Sequence, residues 1–406
     1  MGLFNRKNST KPDSDDPEHK KEKGGWKRPK NTAFKQQRMK AWQPILTPKT
    51  VLPTLFLIGI IFAPIGGLLI WGSSLVTEIT FDYTECENLT PSSSNGSLTF
   101  TDMPSNKYKY RLKNDKGAQP STPQYAFLDN DNNSSVTDVS AKKQCIVEFD
   151  IPQQLDHTVL LYYKLTNFYQ NHRRYVKSLS TDQLKGKFVS VKDLNNGDCK
   201  PLATINNTAI WPCGLIANSV FNDTFSTPVL LNPSGSDATE KPYEFSSQGI
   251  AWPGEAKKYT DNPIGDGGYQ SLSDIVPPPN WQLKYPHGYT EDNPPPNLKA
   301  DQHFQNWMRT AGLPSFTKLY GRNDNDPMQT GKYRIIIGLN FPVIPYKGTK
   351  SFVISTVSWI GGKNPFLGWA YVAAAAVFVL LAILGTARHL IRPRRLGDMT
   401  LLSWNR

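Results

Sequence analysis

Two uncharged apolar stretches, one towards each end of the 406-residue chain, limit most strongly how it folds. The first lies between Lys49 and Glu78, and the second lies between Lys363 and Arg388. A helix needs about 20 apolar residues to cross the hydrocarbon core of a bilayer, which is about 30 Å thick. Because globular cores seldom supply uncharged runs of this length, we predict transmembrane helices over residues 50–76 and 364–387.

The first stretch begins too far into the chain for a cleaved signal peptide, and it is therefore predicted to be an uncleaved signal anchor. It contains Gly59, Gly66 and Gly67. Small residues let helix backbones approach each other closely. Ordinary glycine content of a membrane helix is an equally good interpretation, so both stay open.

Basic residues are concentrated outside the two stretches. Residues 1–49 hold 13 Lys and Arg against 5 Asp and Glu, and residues 388–406 hold 5 against 1, whereas residues 50–387 hold 28 of each. The positive-inside rule therefore predicts cytosolic tails over 1–49 and 388–406, and an extracytoplasmic domain over 77–363. Because basic residues beside a membrane attract anionic lipid, the net charge of +12 does not indicate nucleic-acid binding.

All cysteines of the chain lie between the two stretches, namely Cys86, Cys145, Cys199 and Cys213. In an oxidising compartment they predict two disulfides, for which three connectivities exist. The sequential pairing is favoured because Cys199 and Cys213 would close a short loop, which stabilises a fold by about 3 kcal/mol. A zinc site is the alternative, but it lacks a CxxC motif or a His pair at ligand spacing.

N-glycosylation sequons are concentrated in the same segment. They begin at Asn88, Asn95, Asn132, Asn133, Asn206 and Asn222. Asn132 and Asn133 are adjacent and are not expected to be modified together. Asn8 also begins a sequon, but it lies in the predicted cytosolic tail. The candidate acceptors are therefore Asn88, Asn95, Asn132, Asn206 and Asn222.

Alternating apolar residues predict half-buried strands in the central segment. The pattern runs from Tyr333 to Val343 in KYRIIIGLNFPV and from Cys145 to Ile151 in CIVEFDI. Segments 158–168 and 349–359 are also predicted strands, because they are rich in β-branched and aromatic residues. Together these segments predict a mainly antiparallel β domain, sandwich-like, with long loops and short helices.

A short helix is predicted over 301–313, where aromatic residues at helical spacing indicate core packing rather than a ligand platform, and Gly312 ends the pattern. Prolines cluster over 227–299, and periodicity disappears there. Polyproline II segments in such a stretch would form stiff arms that can lie on another protein.

Common catalytic motifs are absent from the sequence. There is no GxxxxGK[ST], GxSxG or HExxH pattern, and the histidines of the central segment are scattered singly. We therefore expect no catalytic residues, no cofactor and no metal, and a protein that works by binding. An adhesion or receptor protein and a luminal glycosidase, which needs only two carboxylates at a set separation, are the alternatives.

Six segments carry a resemblance to a known family. They are FKQQRMKAWQPILTP (34–48), YYKLTNFYQNHRRYVKSLSTDQL (162–184), PCGLIANSVFNDTF (212–225), GIAWPGE (249–255), WMRTAGLPSFTKLYGR (307–322) and GTKSFVISTVSWIGGKNPFLGWAY (348–371). In this order they resemble the hallmark segments of the cell division control protein 50 family, the accessory β-subunits of type IV P-type ATPases.

The resemblance implies a heterodimer in the secretory pathway, at the endoplasmic reticulum, Golgi, endosomes or plasma membrane. The catalytic chain of such a pair moves phospholipid to the cytosolic leaflet, and the accessory chain stabilises it, leaves the endoplasmic reticulum with it and supports its cycle. The resemblance also pairs Cys86 with Cys145 and Cys199 with Cys213, and it makes Asn222 a glycan site. It does not extend to the other sequons.

Two groups of residues are expected to contact the partner or lipid. On the cytosolic side, Arg38 and Lys40 would lie along the membrane, which includes anionic lipid, with Trp42 as an interfacial anchor. In the central domain, Arg173 and Arg174 would either bind a lipid phosphate or, as is commoner for Arg, form ion pairs within the domain or with acidic loops of the partner.

Overall fold

The computed structural model describes residues 31–40, 46–92, 98–113, 120–131, 133, 135–233 and 240–393. The chain divides into two compact units, one formed by Met1–Leu55 with Ala382–Arg406 and the other by Phe56–Leu381. The helices are α1 (Pro48–Ser74), α2 (Val139–Lys142), α3 (Arg173–Lys177), α4 (Thr181–Leu184), α5 (Val191–Asn196), α6 (Leu215–Asn218), α7 (Gln302–Met308) and α8 (Pro365–Ile391). Short 3-10 helices cover Cys86–Asn88, Glu255–Lys258, Leu272–Asp274, Pro279–Trp281 and Ile344–Tyr346.

The strands lie between α1 and α8. They are β1 (Glu78–Asp82), β2 (Thr101–Asp102), β3 (Tyr108–Arg111), β4 (Gln124–Asp129), β5 (Lys143–Ile151), β6 (Val159–Leu165), β7 (Thr204–Ile205), β8 (Thr208–Ile210), β9 (Thr224–Phe225), β10 (Val229–Leu230), β11 (Lys241–Pro242), β12 (Ile275–Val276), β13 (Phe316–Asn323), β14 (Gly331–Gly338) and β15 (Lys350–Thr356).

Within the described residues, α1 and α8 are the two helices long and apolar enough to cross a membrane. Each has 27 residues, which corresponds to a length of about 40 Å at 1.5 Å per residue. They flank a mainly antiparallel β domain with short helices, which confirms the predicted fold class.

Two antiparallel sheets pack face to face in this domain. One has the order β13-β6-β15-β1-β3, and the other has the order β11-β10-β14-β5-β4-β2 with β9 added beside β14. Aromatic rings join them: the ring centroid of Phe149 in β5 lies 4.8 Å from that of Phe81 in β1 and 5.7 Å from that of Phe352 in β15. The predicted alternating residues of β5 and β14 point into this sandwich core, because Val147 and Ile335 are fully buried.

A second core forms beside the sandwich from loops, short helices and a small sheet in which β12 pairs in parallel with β8. Trp211 and Trp307 are fully buried at its centre. Gln183 organises it, because its side-chain amide donates to Ile210 O at 3.0 Å and to the Tyr269 hydroxyl at 2.7 Å. A buried amide with these partners fixes the irregular backbone around it.

The part of the proline-rich stretch from residue 255 to 299 belongs to this second core, whereas β10 and β11 near its start pair within the sandwich sheet. Tyr259, Tyr269, Tyr285, Tyr289 and Leu298 are buried in it, so the stretch packs on its own domain rather than projecting as stiff arms. This corrects the expectation that polyproline II segments of the stretch form stiff arms that lie on another protein. Regular periodicity is absent over residues 255–299 because this part is held mainly by separate aromatic side chains, and its one strand, β12, is only two residues long.

Helix α7 ends at Met308, five residues before the predicted end of the helix at 313. The cause is Lys318 of β13, whose Nζ donates to the carbonyls of Asn306, Trp307 and Arg309 at 2.9, 2.7 and 2.7 Å. The last carbonyls of a helix need partners outside the helix. A buried ammonium group therefore caps α7 and fixes its end.

Candidate functional site

The two long helices contact each other through small residues within the Phe56–Leu381 unit. A methyl group added at Gly66 would lie 2.7 Å from Val372 Cγ2 and 2.9 Å from Gly368 O. One added at Gly59 would lie 2.5 Å from Val379 Cγ2. Nothing lies within 4 Å of such a group at Gly67. Gly59 and Gly66 therefore let the backbones of the chain's own two helices approach, whereas Gly67 faces away from this contact.

The outer surfaces of these helices remain exposed and apolar in the chain by itself. The exposed side chains include Leu57, Ile60, Leu68 and Trp71 of α1 and Trp369, Val377 and Leu380 of α8. Apolar surface of this extent requires lipid or another apolar partner around it. No charged residue lies between Lys49 and Glu78, so α1 beyond its first turn supplies no ionisable group for a polar path through a membrane.

A buried ion pair joins β15 to the loop that contains the Asn222 sequon. Lys350 Nζ lies 3.0 Å from Asp223 Oδ2, and both side chains are almost completely buried. The Tyr83 hydroxyl donates to the same oxygen at 3.0 Å, and the backbone N–H groups of Asn340 and Phe341 donate to Asp223 Oδ1 at 2.5 and 2.6 Å. We call the cluster of Lys350, Asp223 and Tyr83 the Asp223 node. Every charge in this node is compensated, which a buried ion pair requires.

Tyr83 serves this node as a neutral hydrogen-bond donor. Burial, together with the adjacent Asp223 carboxylate, raises the pKa of Tyr83 well above its ordinary value. The Lys350 ammonium also donates to Phe341 O at 2.9 Å and lies 5.4 Å from the Tyr83 ring centroid. The node therefore positions the residues around Asn222 and provides no free acid or base.

Both disulfides are present, with Cys86 bonded to Cys145 and Cys199 bonded to Cys213. The first lies in the sandwich core and the second in the second core. Their sequence separations are 59 and 14 residues.

The described sequon residues differ in their surroundings. Asn88 is exposed, and Asn206 is exposed in the two-residue turn that joins β7 to β8. Asn206 has φ 50° and the next residue, Asn207, has φ 63°, which is the left-handed geometry favoured by tight hairpin turns. Asn222 is half-buried. Asn95 and Asn132 lie outside the described residues.

The residues expected to touch a partner or lipid lie at the surface where they are described. Arg38 and Lys40 are exposed, and the Arg38 guanidinium donates to Asn31 Oδ1. Trp42 lies outside the described residues. Arg173 and Arg174 are exposed in α3, and neither forms an ion pair within the described part of the chain. The expectation of ion pairs inside the domain is therefore not met there.

Two basic side chains, Lys318 and His303, have a lowered pKa. Burial lowers the pKa of Lys318 to about 7, but its ammonium donates to three helix-end carbonyls. Burial also lowers the pKa of His303, which lies against the Tyr320 ring with 4.4 Å between centroids. In the described ranges, no group of three or more His, Cys, Asp or Glu side chains could hold a metal ion. Groups with shifted pKa values indicate a candidate active site only where several of them lie together in a pocket. Lys318 and His303 instead each contact neighbouring groups of the fold.

These features define a two-span membrane protein with a disulfide-bonded β-sandwich domain. The family model described as the LEM3 (ligand-effect modulator 3) family / CDC50 family matches residues 69–395, so the chain belongs to this family. It is 41% identical over 384 residues to "Phospholipid-transporting ATPase accessory subunit CDC50" of Chaetomium thermophilum, with 93% of this chain and 91% of the relative covered.

Two further relatives show how broadly the likeness extends. The chain is 41% identical to "Phospholipid-transporting ATPase accessory subunit CRF1" of Saccharomyces cerevisiae, over 93% of this chain and 89% of the relative. It is 37% identical to "Cell cycle control protein 50A" of Mus musculus, over 88% of each chain. The resemblance found in the six sequence segments is thereby confirmed.

Proposed function

We propose that this protein is a non-catalytic accessory subunit of a phospholipid-transporting P-type ATPase. The observation that carries the proposal is the identity of 41% over 93% of the chain to a relative named as such a subunit. The match covers 93% of the chain, so it concerns the architecture as a whole rather than one motif.

In the proposed orientation both tails are cytosolic and the β domain is extracytoplasmic, within the secretory pathway. The charge distribution supports this, because basic residues flank both helices on their outer sides. The two disulfides also support it, because such bonds persist in oxidising compartments. The accessible sequon residues Asn88 and Asn206 agree with exposure to the glycosylation machinery.

The proposed mechanism is differential binding. A partner that changes shape during its cycle is biased only by a subunit that binds some of its states better than others. The packed β domain is suited to this role, because its paired sheets and disulfides resist deformation. The exposed apolar surfaces of α1 and α8 are suited to pack against the partner's membrane helices. Such binding would stabilise the ATPase, support its export from the endoplasmic reticulum and assist its catalytic cycle.

The cytosolic residues Arg38 and Lys40 form a second proposed contact, with the partner or with anionic lipid. They lie in an exposed segment that also presents the apolar side chains of Phe34 and Met39. Basic residues beside apolar ones suit the charged surface of a membrane. Charge reversal of Arg38 and Lys40 is expected to weaken complex formation or ATP turnover, and unchanged assembly and turnover would refute this contact.

Arg173 and Arg174 are proposed to meet an acidic segment of a partner rather than lipid. Helix α1 leads into the end of the sheet where Val159 of β6 pairs with Thr356 of β15. Helix α3 follows the other end of β6, which is about 20 Å away along seven residues at about 3.3 Å each. Arginines so far from the chain's own membrane helices are poorly situated for a lipid phosphate.

Affinity purification of the full chain in mild detergent tests the proposed function. We expect one large membrane ATPase to co-elute in equal amount, with ATP hydrolysis stimulated by phospholipid. Elution of the chain without an ATPase, from cells that express phospholipid-transporting ATPases, would contradict the proposal. The β domain would then be screened for ligands and for glycosidase turnover.

A further inference from the structure

A groove of about 430 Å³ lies beside Asn222, between the sandwich and the second core. Segment 138–140 and Asn340 line it on the sandwich side, and Trp281, Lys284 and His303 line it on the other side. Its volume is typical of small-ligand sites, and its walls combine aromatic rings with a few polar groups. The groove therefore has the size and chemistry to hold a compact polar ligand with apolar faces.

The asparagine of the groove lacks partners for its side chain. Asn222 Oδ1 is buried and accepts no hydrogen bond. Its Nδ2 donates none within the described residues. The neighbouring Asn340 Nδ2 donates to the Asn222 backbone carbonyl at 3.3 Å and leaves the Asn222 side chain without a partner. An unsatisfied buried polar atom costs about 1–3 kcal/mol. A ligand with hydroxyl and amide groups would supply the missing partner.

The residues next to Asn222 hold it against the groove. Asp223 is fixed by the ion pair with Lys350, and Thr224 begins β9, which pairs with β14. The sequon is thus locked into the fold on its C-terminal side. Transfer of a glycan requires an accessible sequon, so modification of this half-buried site must precede folding, and the attached sugars must then fit the finished structure.

We propose that the groove binds the first sugars of an N-glycan attached to Asn222, and we call this bound position the groove seat. The N-acetylglucosamine units would lie over the rings of Trp281 and Tyr320, with their hydroxyl groups facing Asp138, Asn280 and Lys284. Because the opposite walls belong to different cores, the seated sugars would join the two cores. The proposal rests on the extracytoplasmic position in the proposed function, since only there is the sequon modified.

Native digestion with endoglycosidase H tests this seat, because the enzyme cleaves between the first two sugars. The full chain, produced in a eukaryotic host that keeps its glycans high-mannose, would be digested under native and denaturing conditions. Cleavage at each sequon would then be followed by glycopeptide mass spectrometry. Asn88 and Asn206 are the internal controls, because both are exposed.

Under native conditions we expect cleavage at Asn222 to be at least about tenfold slower than at the occupied control sites, which corresponds to about 1.4 kcal/mol in favour of the seated state. The difference should vanish on denaturation. The double variant Leu283→Ala/Lys284→Ala trims two exposed side chains of the groove wall and should speed native cleavage at Asn222. Leu313→Ala, which is exposed and outside the groove, should not.

Equal native rates at Asn222 and at the exposed controls would overturn the groove seat, and so would an unmodified Asn222 in a chain glycosylated at Asn88 or Asn206. Both results would leave the accessory-subunit function intact. A chain without a glycan at any sequon would overturn the extracytoplasmic orientation and the seat together. Co-purification of the ATPase would then separate the failure of the orientation from the failure of the partnership.

Discussion

The two cores of the β domain are stabilised by different means. The sandwich core is made by long paired strands, so that backbone hydrogen bonds and alternating side chains specify it together. The second core has few strand pairs and depends on single side chains such as Gln183 and Lys318, and on the Cys199–Cys213 disulfide. The comparison shows that one domain can combine a core stabilised by many strand contacts with a core that depends on a few individual side chains.

The largest effect is expected where the two cores meet, at the ion pair of Asp223 and Lys350. Asp223→Asn removes the nearer of two carboxylates from the buried Lys350 ammonium and leaves only Glu87, whose Oε1 lies 3.7 Å from Nζ. Breaking the buried pair costs about 4 kcal/mol of unfolding free energy. The variant keeps the Asn-x-Thr sequon, so glycosylation of Asn222 is not removed. Thermal unfolding of the purified chain, followed by Trp fluorescence, measures the loss.

Asp292→Asn is the matched control for this variant, because Asp292 is exposed. It should leave the unfolding midpoint unchanged. If Asp223→Asn were as stable as this control, the ion pair would not join the cores.

Removal of the Cys199–Cys213 disulfide shows most clearly that the two cores are stabilised by different means. Its loop of 14 residues corresponds to about 3 kcal/mol in the chain-entropy account. In a Cys199→Ser/Cys213→Ser variant we expect amide exchange to rise in segment 255–300, while β5 and β14 stay protected. Equal acceleration in both regions would show that the cores unfold as one, and the comparison would fail.

The pH dependence of the stability that Glu148 provides tests how charged side chains contribute to the sandwich. Burial alone would raise the pKa of Glu148, but hydrogen bonds from Lys332 and Arg334 outweigh it and hold the pKa below its ordinary value of 4.5. The resulting stability is fully present above pH 4.5 and is lost as the pH falls through the folded-state pKa.

Glu148→Gln should therefore lower the unfolding free energy by about 2 kcal/mol at pH 7, the range for hydrogen bonds to charged groups. The gap between wild type and variant should narrow below about pH 4. The unfolding midpoints of wild type and variant, measured at pH 7 and again below about pH 4, give this difference. A gap that does not change with pH would refute the ionic origin of the effect.

The smallest effect is expected at the start of α7 in the second core. Asp301 accepts a hydrogen bond from Phe304 N at 2.9 Å and is the N-cap of this helix. Asp301→Ala should lower the unfolding free energy by about 1 kcal/mol. Asp301→Asn should keep most of that stability, because Asn is also a good N-cap residue. Chemical unfolding of the three proteins gives the comparison, and equal losses for Ala and Asn would point away from capping.

The sandwich and the membrane helices were largely predictable from the sequence. The alternation around Val147 and Ile335 defines a buried face, and a long uncharged stretch has few alternatives to a membrane helix. The predicted strands at 158–168 and 349–359 correspond to β6 and β15. These signals are local and repeated, so no single residue had to be interpreted alone.

The second core and the Asn222 groove could not be predicted, because their contacts join residues far apart in the chain. Asp223 and Lys350 are 127 positions apart, and each looks ordinary in its own segment. Lys318 lies in a strand and gives no sign that it ends α7. The pair Asn206-Asn207 between short apolar runs is a hairpin signal that our sequence reasoning missed.

The most direct test of the central claim is reconstitution into phospholipid vesicles of the partner ATPase alone, of this chain alone and of the two together. The account predicts that the pair moves labelled phospholipid between leaflets on addition of ATP, that this chain alone does not, and that the ATPase alone is less stable and less active. Equal transport by the ATPase alone, or ATP-driven transport by this chain alone, would contradict it.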